Sequence, residues 1–249
     1  MQSSNWMYTQ HVNNIHIPIT FNQKVVVFVG TVGAGKSTQM KLLASMLESR
    51  RLKIRITYIK TGHVFAYLLE ILLARVLCSK RKDVYPIRAL IENRAFIFKK
   101  LFRLWLILDM LSISIRFILT VFLPSKIGRV ILVEEYIPAT IADYIYLAKA
   151  VGFPVKYVLF AVNYVLKLLH LCNPILTIFL DASNSCLVDR WHQRGSLNET
   201  SDYLKMQRTL LLNVSKNLSN YFLYINTSNK TIKEVHKLIV NYLKSKCKE

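Results

Sequence analysis

The sequence predicts an α/β fold, a parallel sheet covered by helices on both faces. Three observations carry that prediction. Short β-branched and apolar runs recur along the chain, and most close on a glycine, an acid or an asparagine. Helix-period stretches lie between them. A glycine-rich loop follows the first run directly. Strands buried on both faces of a parallel sheet read as continuous apolar runs of this kind.

Taken in order, residues 24–29 (KVVVFV) predict a buried strand that ends in Gly30. Residues 36–47 predict a helix with Met40, Leu43 and Leu47 on one face. Residues 54–59 predict a second strand. Residues 130–133 (VILV) predict a third, closing on Glu134 and Glu135. Residues 175–180 predict a fourth, closing on Asp181, and residues 221–225 a fifth, closing on Asn226. Residues 1–20 read as a polar, Asn-rich extension, and residues 21–249 as a single domain.

The gap between the second and third strands is long. Residues 63–128 read as a basic, apolar helical insertion. Its first apolar block covers residues 64–78 and its second residues 101–123, with Lys80, Arg81 and Lys82 between them. The second block has 23 residues, enough to span a bilayer, which takes about 20. It also carries Arg103, Asp109 and Arg116. Asp109, Ser112, Arg116 and Thr120 recur at spacings of three and four, so they form one narrow polar stripe. Three placements stay open: buried core or oligomer interface, membrane surface, and membrane span.

Composition narrows the classes. The chain has 249 residues, 53% of them hydrophobic and 19% charged, which excludes wholesale disorder. Seven Gly and six Pro exclude a collagen-like or linker-dominated chain. The net charge is +20, and residues 50–129 hold 17 basic against 4 acidic residues. A chain both this basic and this apolar suits a polyanionic partner or a membrane surface. Cys78, Cys172, Cys186 and Cys247 form no C-x-x-C pair, so reduced thiols in a cytosolic protein are expected. The first 23 residues lack Lys and Arg, so the charged start of a secretory leader is not expected there.

The loop after the first strand carries the chemistry. Gly30-Thr31-Val32-Gly33-Ala34-Gly35-Lys36-Ser37, followed by Thr38, is the phosphate-binding loop G-x-x-x-x-G-K-[ST]. Glycine lets the chain wrap closely enough to aim backbone N–H groups at phosphate oxygens. The helix that follows adds the positive end of its dipole. Lys36 is placed to reach the β and γ phosphates, and Ser37 to offer a hydroxyl to Mg²⁺. The motif therefore predicts a bound nucleoside triphosphate, ATP with Mg²⁺. Glu134, at the end of the third strand, is placed to hold that Mg²⁺ or orient an acceptor. Arg190 and Arg194 are four apart on a predicted helix, with the polar residues 196–201 after them. They read either as a lid that neutralises charge on a transferring phosphate or as a solvated basic helix end. His63 reads as structural, and Phe98, Phe102 and Trp105 as packing.

Five segments together resemble the thymidylate kinase family of P-loop nucleoside monophosphate kinases, in a divergent form. They are VFVGTVGAGKSTQ, ENRAFI, Glu134-Glu135-Tyr136, LDASNSCLVDRWHQRG and TIKEVHKLIVNYL. The resemblance implies a five-stranded parallel sheet of order 2-3-1-4-5. It implies Arg94 facing the acceptor base, and Lys60 and Glu135 at the acceptor phosphate. The departures lie on that acceptor side. Val32 stands where the family has an acid, Glu135 where it has an arginine, and Lys60 within a turn that is arginine-bearing in the family. An acid at 135 repels a phosphomonoester.

Two functions therefore stay open. One is an ATP-dependent phosphotransferase acting on a nucleoside monophosphate or similar acceptor. The other is an ATP-binding or ATP-hydrolysing interaction protein without that activity, with a membrane-seated version. Candidate partners are a nucleotide, an anionic membrane surface and a second copy of the chain, in a cytoplasmic or peripheral membrane location. Nucleic acid is disfavoured, because the basic residues are interleaved with apolar blocks and no nucleic-acid motif is present.

Overall fold

The computed structural model describes residues 25–78, 85–172, 175–196 and 199–246. The extension over residues 1–20, Lys80 to Lys82, Cys247, and residues 197–198 of the polar loop after Arg194 lie outside the described residues. All five expected strands form: β1 (Val25–Gly30), β2 (Ile54–Ile59), β3 (Val130–Glu135), β4 (Ile175–Asp181) and β5 (Tyr221–Asn226). They make one parallel sheet of order β2-β3-β1-β4-β5. The central strand β1 is wholly buried, as its β-branched run requires, whereas β2 lies at an edge and exposes alternate residues. β3 runs two residues past its apolar stretch, so Glu134 and Glu135 are its last two positions.

Alternate residues of the central strands feed two cores, one on each face. Val26, Phe28, Leu132, Ile178 and Leu180 pack with Leu43 and Leu47 of α1 (Lys36–Glu48) and with Ile239 of α10 (Ile232–Lys246). The face predicted for α1 is therefore the face it buries. A capping box closes the start of α10. Thr231 Oγ1 accepts from the Glu234 N–H at 3.2 Å, and Glu234 Oε2 accepts from the Thr231 N–H at 2.7 Å. Val25, Val27, Ile131, Val133 and Phe179 pack on the opposite face. There they meet the helical insertion, together with α5 (Tyr136–Ala150) and α6 (Leu159–His170). The remaining helices, α7 (Asn184–Arg194), α8 (Ser201–Met206) and α9 (Leu212–Leu218), belong to the second half of the sheet. Among the described residues, Cys78, Cys172 and Cys186 are in no disulfide.

The insertion consists of α2 (Val64–Leu77) and a long helix antiparallel to it. That helix runs as α3 (Pro86–Phe117), passes a π turn at Ile118–Phe122, and ends as α4 (Leu123–Lys126). Among the described residues it is the one helix long and apolar enough to cross a membrane by length and composition. Its polar stripe nevertheless points into the fold. Asp109 Oδ1 accepts from the Gly62 N–H at 2.8 Å, and Ser112 Oγ accepts from the Phe65 N–H at 3.2 Å. Arg116 Nε donates to the Tyr58 carbonyl, and Thr120 shares a 2.9 Å hydrogen bond with Thr57. Asp109, Ser112 and Arg116 of the stripe thus bind backbone groups of β2, of the turn after it and of the first turn of α2. Phe98, Phe102 and Trp105 are fully buried packing residues, with Phe102 stacked on Trp105 at 5.4 Å. The opposite flank of α3 leaves Leu104, Ile107, Leu111 and Ile115 exposed.

Candidate phosphate-binding site

The loop from Gly30 to Thr38 joins β1 to α1 at the carboxyl edge of the sheet, where open α/β sheets place their ligands. Gly30 has φ of 131°, and a Cβ there would lie 1.9 Å from the Leu180 carbonyl oxygen of β4. Only glycine lets the loop press against the neighbouring strand. Gly33, at φ of 92°, leaves room for the Trp191 ring, whose Nε1 donates to the Val32 carbonyl at 3.1 Å.

The loop is braced from below. Thr31 Oγ1 donates to Asp181 Oδ1 at 3.0 Å, and Arg208 Nε donates to both Asp181 oxygens at 3.1 Å. Gln207 Oε1 accepts from the Val32 N–H at 3.2 Å. Gln207 and Arg208 open a π turn at Gln207–Leu211 between α8 and α9, from which Gln207 reaches the loop and Arg208 reaches Asp181 beneath it. Sequence reading marked Asp181 as a strand end but missed Gln207 and Arg208. A π turn has no local signature in the residues.

At the mouth, Ser37 Oγ lies 2.8 and 3.1 Å from the two oxygens of Glu134. A hydroxyl and a carboxylate side by side are the hard oxygen donors that suit Mg²⁺. Lys36 is almost fully buried. Its Nζ donates to the Gly30 and Thr31 carbonyls, each at 3.0 Å, and pairs with Glu135 Oε1 at 3.1 Å. Glu135 and Tyr136 have φ of 72° and 69°, left-handed values rare outside glycine, at the junction of β3 and α5.

The two arginines of α7 do different things. Arg190 donates to the Gly33 carbonyl at 3.2 Å and to Thr227 Oγ1 and O at 3.0 and 3.1 Å. It ties the loop to the turn after β5 and so acts as a brace. Arg194 is exposed and lines an open groove of about 420 Å³ with Ser37, Thr38, Lys41, Leu42 and Ser45. Of the pair expected to form a lid, Arg194 is the one on the rim beside the Mg²⁺-suited hydroxyl.

Lys60 heads a second network. Its Nζ donates to the Tyr203 hydroxyl at 2.6 Å, and that hydroxyl donates to Asp143 Oδ1 at 3.2 Å. Thr61 Oγ1 donates to Asp143 Oδ2 at 2.9 Å. Burial opposes charge on Lys60, but Tyr203, Asp143 and Glu135 around it hold its pKa well above the ordinary lysine value. Burial raises the Asp143 carboxyl, against the pull of Lys60. Sequence reading missed both residues: Asp143 stands as the lone acid of an apolar helix, a signal that could have found it, and Tyr203 carries no such signal. His63 is structural: its Nε2 accepts from the Lys60 N–H at 3.1 Å, and burial lowers its pKa to about 4.

Arg94, expected against an acceptor base, is held elsewhere. It sits at a kink in α3 and donates to the Leu77 carbonyl at 3.1 Å. There it satisfies the carboxyl end of α2, whose 14 residues carry the chain roughly 20 Å from the Lys60 turn.

No family model and no curated protein matches this sequence. Solved structures do. The chain is similar to the thymidylate kinase of Candida albicans at a TM-score of 0.51 and 15% identity, over 91% of this chain and 94% of that one. The fold is that of thymidylate kinases. A second thymidylate kinase, from Ehrlichia chaffeensis, aligns at 16% identity and a TM-score of 0.42, over 89% and 98% of the two chains. At these identities the thymidylate kinase likeness is one of fold.

Proposed function

We propose that the protein is a phosphotransferase of the thymidylate kinase type, which moves the γ-phosphoryl of ATP to a nucleoside monophosphate or similar acceptor. The observation that carries this is the pairing of the Ser37 hydroxyl with Glu134 at the mouth of the Gly30–Thr38 loop, with Lys36 Nζ held on the loop's own carbonyls behind it. In this reading the loop backbone and Lys36 hold the β and γ phosphates. Ser37 and Glu134 hold Mg²⁺, which when bound neutralises charge on the phosphates. Arg194 follows the phosphates from the groove rim, and Arg190 keeps the loop in shape. Lys60, set by Tyr203 and Asp143, is the cation on the acceptor side, with Glu135 beside it. A carboxylate there favours an acceptor less anionic than an ordinary monophosphate.

The test is ADP release from Mg·ATP against a panel of nucleoside monophosphates and nucleosides. Release that rises with one acceptor, with a phosphorylated product, is expected. Slow release that ignores every acceptor removes the transferase reading and leaves an ATP-binding or ATP-hydrolysing protein.

That second reading has an observation of its own. Leu104, Ile107, Leu111 and Ile115 of α3 and Leu68, Leu72 and Val76 of α2 are exposed, in the most basic part of the chain. Contiguous exposed apolar side chains mark interaction surfaces. The candidate occupants are a second copy, in a cytoplasmic dimer, and an anionic membrane. Flotation with vesicles of anionic lipid separates them. Membrane seating predicts association that falls as salt rises, and a dimer predicts none.

A further inference from the structure

We propose that Glu135 is a latch on the phosphate-binding lysine, and that the phosphates of a nucleotide must displace it. The inference rests on the nucleotide-binding reading above and assigns Glu135 a role on the donor side of the site.

Three observations converge. First, an ammonium group has three N–H donors. In Lys36 two donate to Gly30 O and Thr31 O, and the ammonium pairs with Glu135 Oε1 at 3.1 Å. A phosphate oxygen can bind Lys36 only if one of these is given up. The two carbonyls belong to the phosphate loop itself, so the carboxylate is the contact to yield. Second, the pair is dry, with 5% of each side chain exposed. An ion pair in that setting is little weakened by solvent. Third, Glu135 Oε2 is buried without a hydrogen-bond partner, so Lys36 is what holds the carboxylate in place. When Lys36 turns to phosphate, Lys60 remains as a cation whose charge Glu135 already favours. The released carboxylate is then drawn toward the acceptor side.

The latch acts as a conformational tax. Apparent affinity is the intrinsic affinity reduced by the fraction of protein with the lysine free. If the pair is closed in nine molecules of ten, removing it tightens binding about tenfold.

The experiment is equilibrium titration of a fluorescent ATP analogue with Mg²⁺ into the full chain. The parent is compared with Glu135→Gln and Glu135→Asp, with thermal melts to confirm that each variant is folded. Glu135→Gln removes the charge and keeps the shape. Glu135→Asp keeps the charge but is one methylene shorter, so it loses its reach to Lys36. The latch predicts that both variants bind about tenfold tighter or more. Tightening by Gln alone means simple charge repulsion and overturns the latch. Equal affinity in all three overturns it while nucleotide binding stands. Absence of binding in all three removes the nucleotide reading and the latch together.

Discussion

Lys36→Ala is expected to lower phosphotransfer by about a thousandfold, the scale set by removing one donor from a preorganised anion site. It is also expected to destabilise the fold, and the structure gives the reason. Lys36 is the salt-bridge partner of the buried Glu135. Removing one member of a buried pair leaves an uncompensated charge, at a cost of about 3–5 kcal/mol. Loss of activity in the single variant would then mix chemistry with partial unfolding. The double variant Lys36→Ala with Glu135→Gln separates them, because it removes both charges. Its melting temperature is expected to return most of the way to that of the parent, while ADP release stays low. If the double variant recovers phosphotransfer as well as stability, Lys36 has no role on the phosphates. If the single variant melts like the parent, the ion pair carries no stability. The cycle reads the coupling between the two residues directly.

The frame of this site was legible from short-range pattern. The apolar runs that predicted five strands are those that form the sheet, and Gly30 to Thr38 announced its turn through glycine spacing. The strand order came from resemblance, since periodicity says nothing about neighbours. What stayed hidden was partnership across the chain. Arg208 reaches Asp181 over 27 residues, and Tyr203 reaches Asp143 over 60. No local feature of either residue encodes that meeting. Glu135 shows the same limit from the other side. Its identity suggested repulsion of an acceptor phosphate, whereas the left-handed turn at 135 and 136 aims it at Lys36. The stripe on α3 was read correctly as a stripe, but its object, the backbone of β2 and of the turn after it, needed the fold. Arg94 was carried to the acceptor by resemblance, and the fold ties it to the end of α2.

The same turn after β2 gives the protein a pH-dependent stability. Asp109 is fully buried, its Oδ1 bound to the Gly62 N–H and its Oδ2 without a partner. The Tyr144 hydroxyl and the His63 N–H also face it and favour its charged form. Glu70 lies close by, holding the Trp105 Nε1–H at 2.9 Å. Burial pushes the Asp109 carboxyl up to about 7 from 3.8, opposed by the Gly62 N–H. Burial pushes Glu70 to about 7 from 4.5, opposed by Trp105. The folded protein therefore keeps protons that the unfolded chain has lost. Between about pH 4 and pH 7 the folded state binds more protons, so raising the pH through this window lowers stability. For Asp109 alone, a rise from 3.8 to about 7 corresponds to about 4 kcal/mol. Glu70 steepens the slope, and the two lose their protons as a coupled pair. Asp109→Asn keeps an oxygen for Gly62 and carries no charge at any pH. Its advantage over the parent is expected to grow by about 2–3 kcal/mol between pH 5 and pH 8, or roughly 5–12 °C in melting temperature. Thermal melts of both proteins across pH 5 to 8 decide the matter. A difference that does not change with pH would mean that Asp109 keeps the same charge throughout, and that its hydrogen bond to Gly62 is all it contributes.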